Sequence, residues 1–553
     1  MRMTMRRFCA LWLPFLMAGL FASNVWADQG DPPARVARLS VIQGKVTFQP
    51  SGETDWSEAS LNRPVTTGDR LYVDKGGRAE LEAGPFAVRL AEATDVTLAN
   101  LNDQLLQLGV GQGTVRVTVY QMPDNNTVEV DTPNGALILQ SPGSYRVDAA
   151  PDGNSTLVTV NAGSLQVSAG DLAKSLRSGE AVRLTGTGPV SATSVEVASA
   201  DDFDRWCGGR DQRIESSASV RTVGPAVPGG EDLDKYGHWD EEPGYGQVWY
   251  PTNVPPDWVP YRNGNWEFIE PWGWTWVEAE PWGYAPFHYG RWAHIGPVWA
   301  WVPGPVVVRP VYAPALVAFV GGPGFSVGVG VGVQAWFPLG PREPYTPWYH
   351  YGPNYIREVN VVNVTNVTNI RYVNREVAVT AVPGDVFRGG QPVAHNFVRV
   401  PREQMAHASV IPHPEVAPSS RAVFGARAVA PPPVPPARFG SAARVSPGAP
   451  APAPRPSAPA PAPREAVRTG GPPVTPFPKV YTRNPPAPRS VPYTARQDAY
   501  SSHPGRPLEP QQMDNLRAGK PAGPMRDKEP IPHPAKEQSR SKPAPSHSEK
   551  SHH

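Results

Sequence analysis

The chain has 553 residues, with 51 Lys and Arg against 50 Asp and Glu and a formal net charge of +1. That length allows two or three domains, and the near-neutral total hides an acidic body, about −10 over residues 1–400, that carries a basic tail of about +11. Two cysteines are present and Cys9 sits in the N-terminal apolar run, so a processed chain keeps Cys207 alone and has no internal disulfide.

Arg2, Arg6 and Arg7 precede an apolar run from Phe8 to Phe21, and small and polar residues follow up to Val25-Trp26-Ala27. This order predicts a secretory signal over residues 1–27 with cleavage after Ala27. The run is short for a bilayer span and is interrupted by Pro14, so the mature chain is expected to carry no membrane-spanning segment. The expected address is outside the cytoplasm, in the periplasm or at the cell surface or secreted.

Residues 37–190 show short alternating runs, such as Val41–Phe48, Phe86–Leu90, Thr114–Tyr120 and Leu157–Val160, separated by Gly, Asp, Asn and Pro. Even spacing and β-branched enrichment predict an all-β unit, a β-sandwich or short β-solenoid. Gly109-Val-Gly-Gln-Gly113 reads as a turn between strands that opens no helix. The order of Gln43-Gly-Lys-Val46, Pro64-Val-Thr-Thr-Gly-Asp-Arg-Leu71, Asp131-Thr-Pro-Asn-Gly135 and Gly143-Ser-Tyr-Arg-Val147, then Val158-Thr-Val-Asn-Ala-Gly-Ser-Leu-Gln-Val167 and Ser178-Gly-Glu-Ala181, resembles the FecR-type periplasmic domain. The resemblance covers about 150 residues. It implies a β domain that in many members belongs to a membrane-spanning regulator relaying a surface signal to a cytoplasmic sigma factor. This sequence departs from that plan: no cytoplasmic segment precedes the apolar run and no second span follows.

Residues 201–222, beginning Asp201-Asp-Phe-Asp-Arg-Trp-Cys207, predict a short helical connector with an acidic start, broken at Gly208-Gly209. Over residues 230–304, Gly237-His-Trp239, Gly264-Asn-Trp266 and Gly290-Arg-Trp292 recur at a spacing of about 26 residues. Each is followed about ten residues later by a second aromatic strand, Val248-Trp-Tyr-Pro251, Thr275-Trp-Val277 or Ala300-Trp-Val-Pro303. The spacing predicts three β-hairpin repeats whose neighbours supply one another's core. Trp272, Trp274 and Trp276 fall at i, i+2 and i+4, on one face of a strand. The array resembles a bacterial secreted family of uncharacterised function in which Tyr-Gly-x-Trp and Pro-Trp-Gly-Trp repeats follow a FecR-like domain, a likeness that spans roughly residues 230–390. It brings no activity with it.

Residues 305–400 read as a Gly/Val-rich and then Asn/Val-rich extended region, with Asn at every third position through Asn360–Asn369 fitting neither helix nor simple strand. Residues 401–553 carry about 21 Lys and Arg against about 10 Asp and Glu, and Ala-Pro repeats at 449–464. That composition predicts a disordered, basic Pro/Ala-rich tail. The fold class expected for the whole chain is mainly β.

No phosphate-cradling loop, nucleophile elbow or metal-spaced cysteine pair is present in the sequence, and no cofactor or metal site is expected. Glu267, Glu270, Glu278 and Glu280 flank the Trp strands in the way paired carboxylates flank a glycosidase cleft, and any acidic hairpin looks the same. His238, His288 and His294 are too widely spaced to define a metal site. Export and the acidic character of the aromatic region disfavour nucleic acid. The tryptophans have two readings. A buried aromatic hides roughly 150–250 Å², so these rings are enough to make a core for short units without disulfides. As exposed platforms they would stack on glycan rings or proline-rich peptide, and the ligand face would then comprise Trp272, Trp274, Trp276, Tyr289, Trp292, Trp299 and Trp301. The functional expectation is a non-enzymatic envelope protein with a binding or scaffolding role, peptidoglycan or another envelope glycan being the favoured ligand. The alternatives are a FecR-like signalling or assembly component that binds an envelope protein partner, and a glycan hydrolase.

Overall fold

The computed structural model of the chain describes residues 30–307, 309–322, 325, 332–360, 371–425, 428–432, 438–441 and 479–525. The signal read over 1–27, part of the Gly/Val run (326–331), nearly all of the Asn/Val run (361–370) and the Ala-Pro repeats at 449–464 lie outside the described residues.

The molecule is mainly β, as its composition of short alternating runs requires. In the N-terminal unit the strands from Ala37–Gln43 to Ser191–Val195 form one continuous sheet folded into two layers. One layer runs from Pro64–Val65 through Ala37–Gln43, Arg78–Glu82 and Phe86–Leu90, and on through Gly143–Ala149, Ser155–Ala162 and Glu180–Thr185 to Ser191–Val195. The other joins Trp56–Glu58, Val46–Gln49, Arg70–Val73 and Thr94–Leu101 to Thr127–Thr132, Gly135–Leu139, Ser164–Ala169 and Leu172–Arg177. A single long strand, Leu105–Val119, belongs to both layers: its first half pairs Thr94–Leu101 and Thr127–Thr132, its second half Phe86–Leu90 and Gly143–Ala149.

The expected turn at Gly109–Gly113 is therefore a corner inside one strand. Leu106, Leu108 and Val110 face the core, then Val115, Val117 and Val119 do, a change of phase that only an irregularity can produce where side chains alternate by two. The extra residue is Gly111, where the pairing with Thr94–Leu101 shifts register between Val110 and Gln112, and Gly113 follows it at φ +90° in a close approach where a Cβ would lie 2.4 Å from Thr94 Cα.

The connector is helical as expected, Asp202–Ser216 and then Ala218–Val223, and Asp201 with Asp204 forms a capping box at its start. Gly208 and Gly209 do not break it. Nothing lies within 4 Å of a Cβ built at either, so they sit on the open face while Phe203 and Cys207 bury the other. Ion pairs from the helix to the sheet, Arg210 with Glu80 and Asp211 with Arg89, hold the turn that the two glycines weaken. Cys207 is a free, buried thiol, and burial pushes its pKa up to about 12.

The Trp-rich stretch forms the hairpins Gly237–Glu242/Gly246–Pro251, Gly264–Ile269/Gly273–Glu278 and Arg291–Ile295/Val298–Val302. Each sets a tryptophan directly across from another: Trp239 opposite Trp249, Trp266 opposite Trp276, Trp292 opposite Trp301. The array is not a simple stack. The first and third hairpins join through Trp249 and Trp301 into a four-stranded sheet, and the middle one remains a two-stranded ribbon.

Residues 305–400 are more than an extended run. Val317–Gly321, Val333–Pro338 and Thr380–Pro383 form an antiparallel sheet with Ser409–Ile411. Phe319, Trp336, Trp348 and Phe387 join the rings of the middle hairpin in one aromatic core. The expectation of disorder over 401–553 needs correction at residues 402–425 and 479–525, which are built into the fold. Ala428–Val429 adds to the edge strand Trp56–Glu58. The helices Tyr493–Ser502 and Pro510–Arg517 bury Tyr493, Tyr500 and Met513 in the aromatic core. A Pro-rich, basic average concealed these few apolar anchors. No helix among the described residues is long and apolar enough to cross a membrane.

Candidate functional site

All seven aromatic residues considered as a ligand face lie in the interior. Trp274, Trp276 and Trp301 have no exposure, Trp272 and Trp292 have 1%, and Trp299 and Tyr289 have 6% and 8%. Three of the indoles are also tied down by hydrogen bonds: Trp301 Nε1 donates to the Tyr289 carbonyl at 2.8 Å, Trp274 Nε1 to the Val416 carbonyl at 3.0 Å and Trp276 Nε1 to Glu278 at 2.9 Å. Trp266 makes the hub, with Trp276, Phe319, Trp336 and Phe387 at centroid distances of 5.3–5.5 Å. Trp272 stands just outside the strand Gly273–Glu278, both faces of which are buried, so the alternation expected there selects no outward face. These rings do what the core reading requires, and they offer a ligand no stacking surface.

The four carboxylates beside them are dispersed among separate partners. Glu267 is ion-paired with Arg63, and Glu270 accepts from Tyr500 Oη at 2.6 Å. Glu278 accepts from Trp276, and Glu280 accepts from Asn263 at 3.0 Å. Burial pushes the Glu278 carboxyl up to about 8, with the neighbouring Glu280 adding to it. The three histidines are dispersed too: His238 stacks on Tyr250, His294 packs on Trp299, and His288 is buried between Tyr284 and Tyr312.

Among the described residues, Glu80, Glu82 and Glu231 bring carboxylate oxygens within 4.8 Å of one another. The cluster already has its counter-ions. Arg89 Nε and Arg210 Nη2 each reach Glu80 at 2.5 Å, and Arg38 Nη1 lies 3.6 Å from Glu82. Burial alone would raise the Glu80 pKa, but Arg89 and Arg210 outweigh it and hold the carboxyl at about 2. The network is a charge-balanced joint between sheet and connector, with three guanidinium groups where a metal site would need room for a cation.

The same joint ties the N-terminal unit to the hairpins. Arg38, fully buried, donates to Asn62 at 3.0 Å and to the Pro281 carbonyl at 2.7 Å and pairs with Asp232 at 2.6 Å. Asn62 in turn donates to the carbonyls of Glu278 and Glu280. Where the two units meet the C-terminal segment, a cavity of about 330 Å³ is lined by Arg63, Asp69, Glu270, Trp272 and Arg496 among others. Of the four carboxylates weighed for catalysis, Glu270 alone lines it. Arg496 closes the seam, donating to Glu53 at 2.8 Å and to Tyr500 Oη at 3.0 Å. Further along, Glu129 accepts from the backbone N–H groups of Arg483 and Asn484 at 2.6 and 3.1 Å. Sequence reasoning missed this seam because its members lie hundreds of residues apart and none belongs to a motif.

Residues 230–343 match a family of unknown function (DUF6600). No curated protein matches the chain. Among solved structures, the chain is similar to a candidate anti-sigma factor from Parabacteroides distasonis ATCC 8503, seen in two crystal structures. One is 15% identical with a TM-score of 0.21, covering 23% of this chain and 60% of that one. The other is 14% identical with a TM-score of 0.17, covering 27% and 61%. The chain thus spans about three fifths of the length of the solved structures it matches.

Proposed function

We propose that this chain is an exported, non-enzymatic protein of the bacterial envelope that acts as a scaffold and binds a protein partner by strand addition. The observation that carries the reading is the pairing of Ala428–Val429 with Trp56 and Ser57: an extended segment remote in sequence completes the edge of the N-terminal sheet. At the far end of the other layer, Ser191–Val195 pairs with Glu180–Thr185, and no second strand pairs with it among the described residues. That strand presents a further edge, and Thr193 on it is exposed. Two further features support binding over turnover. The tryptophans are committed to packing, and the four glutamates each serve a separate structural partner. Glycan binding through the Trp repeats has no exposed ring among its seven candidate residues to rest on.

A photo-crosslinking residue in place of Thr193, in the full chain expressed in its own host, tests the reading. The expected result is a discrete protein adduct in the envelope fraction, lost when Ala192 is replaced by proline. Absence of any protein adduct, together with co-sedimentation of the chain with isolated peptidoglycan sacculi, overturns it in favour of a glycan ligand.

A further inference from the structure

The first and third hairpins share an open groove of about 470 Å³ with the loop 252–258 that follows the first. Its apolar lining includes Tyr250, Trp258, Pro255, Pro256, Pro297 and Val298. Trp258 packs on Trp282 and Trp292 at centroid distances of 5.8 and 5.4 Å, which fixes its ring, and it stays partly exposed. The three prolines are exposed, and Val298 is 49% exposed. A run of exposed apolar side chains around a fixed aromatic ring has the character of a docking surface.

One wall of the groove is acidic. His238, Asp240 and Glu242 alternate along Gly237–Glu242 and so share one face of that strand, with Tyr250 directly across from His238. The His238 ring stacks on Tyr250, whose Oη donates to Glu242 at 2.5 Å. Asp240 is exposed, and no lysine or arginine lines the groove. An anion would meet two carboxylates here, whereas an extended apolar chain bearing a cation matches both the lining and the wall.

The protein carries such a chain. Residues 442–478 hold four arginines against one glutamate, and within them Ala-Pro-Ala-Pro-Ala-Pro-Arg occurs twice, at 449–455 and 458–464. Proline-rich chains suit aromatic-lined grooves, because their restricted backbone loses little freedom on docking. Arg438–Ser441 and Lys479–Thr482 pair side by side, so the segment leaves and returns at one ladder. The second copy has 16 residues before it and 14 after it, arms that span about 43–50 Å at ~3.1 Å per residue. A folded body of this size is on the order of 50–60 Å across, so these arms reach over most of it. The first copy has only 7 residues before it, a span of about 22 Å.

We propose that the groove holds the chain's own residues 458–464, with the prolines against Tyr250 and Trp258 and Arg464 against Asp240 and Glu242. The groove lies on the hairpins, apart from the edges of the N-terminal sheet, so this docking fails or holds independently of the strand-addition reading.

A photo-crosslinking residue in place of Asn253, an exposed position in the groove lining, tests the proposal in the purified full chain. The expected result is an adduct at the mass of one chain that maps to residues 458–464. Asp240→Arg and Arg464→Asp each lower its yield by about fivefold, the effect of a solvated ion pair, and leave the melting temperature unchanged. The two changes together restore the yield, which a general loss of fold would not do. An adduct at the mass of two chains, an adduct mapped elsewhere in the chain, or no adduct overturns the docking. A yield that neither charge reversal moves overturns the pairing of Arg464 with the acidic wall.

Discussion

Glu278 is a carboxyl that the fold keeps protonated. Its side chain is 1% exposed, and burial lifts its pKa from 4.5 to about 8. Between those two values the folded chain holds a proton that the unfolded chain has released, so stability falls as pH rises across that window. The contribution of the neutral carboxyl is complete below about 4.5 and gone above about 8. Asp69, raised to about 6 by burial, adds a slope of the same sign over a narrower range, and Glu80, held at about 2, acts only in acid and with the opposite sign. Glu278→Gln keeps an acceptor for Trp276 and removes the titration. Urea unfolding is expected to show variant and parent similar at pH 5 and the variant more stable at pH 8, by on the order of a few kcal/mol. An equal difference at both pH values contradicts the buried, neutral carboxyl. At this scale the sequence was most legible where a residue is both large and repeated: the tryptophans announced a core by their size. It was least legible for Glu267, Glu270, Glu278 and Glu280, since a spacing of carboxylates along the chain says nothing about which distant Arg, Tyr or Asn will claim each one.

The strand Leu105–Val119 shows what an element can hide. Its two halves serve different layers, the phase changes between them at the extra residue Gly111, and Gly113 beside it holds the corner with φ +90° and Thr94 packed close. Gly113→Ala is expected to destabilise the chain by at least about 1–3 kcal/mol, because a side chain meets both a disfavoured backbone region and a neighbouring main chain. Gly170→Ala, at φ +59° with open space around it, is the matched control and loses only the backbone part. Thermal unfolding of the two variants separates the contributions, and equal losses would show that the corner is not sterically closed. Turns elsewhere were legible from Gly, Asn and Asp at the ends of alternating runs. The glycines at 109–113 carried the same signal with another meaning, because a corner and a hairpin both ask for positive φ. The connector was legible from its acidic start, and its continuation through Gly208-Gly209 was not, since the ion pairs that hold it come from Glu80 and Arg89 on the sheet.

For the molecule as a whole, the C-terminal segment decides how many pieces there are. Arg496 with Glu53, Tyr500 with Glu270 and Asn484 with Glu129 fasten residues 479–525 to the N-terminal unit and the Trp-rich core together. Deleting residues 479–553 is expected to lower the melting temperature and to raise acrylamide quenching of tryptophan emission, since Tyr500 packs on Phe268 and covers the middle hairpin. Unchanged quenching would mean that the segment rests on the core without sealing it. The tail was the least legible region because composition averages over more than a hundred residues and a handful of anchors decides the outcome. The strand Ala428–Val429 also has a consequence in time. A ribosome makes Trp56–Glu58 hundreds of residues before the segment that completes it, at about 5–20 residues per second. For tens of seconds, on the order of twenty to seventy, the newborn N-terminal sheet presents an open edge. During synthesis that edge is open to pairing by any extended chain until Ala428–Val429 covers it.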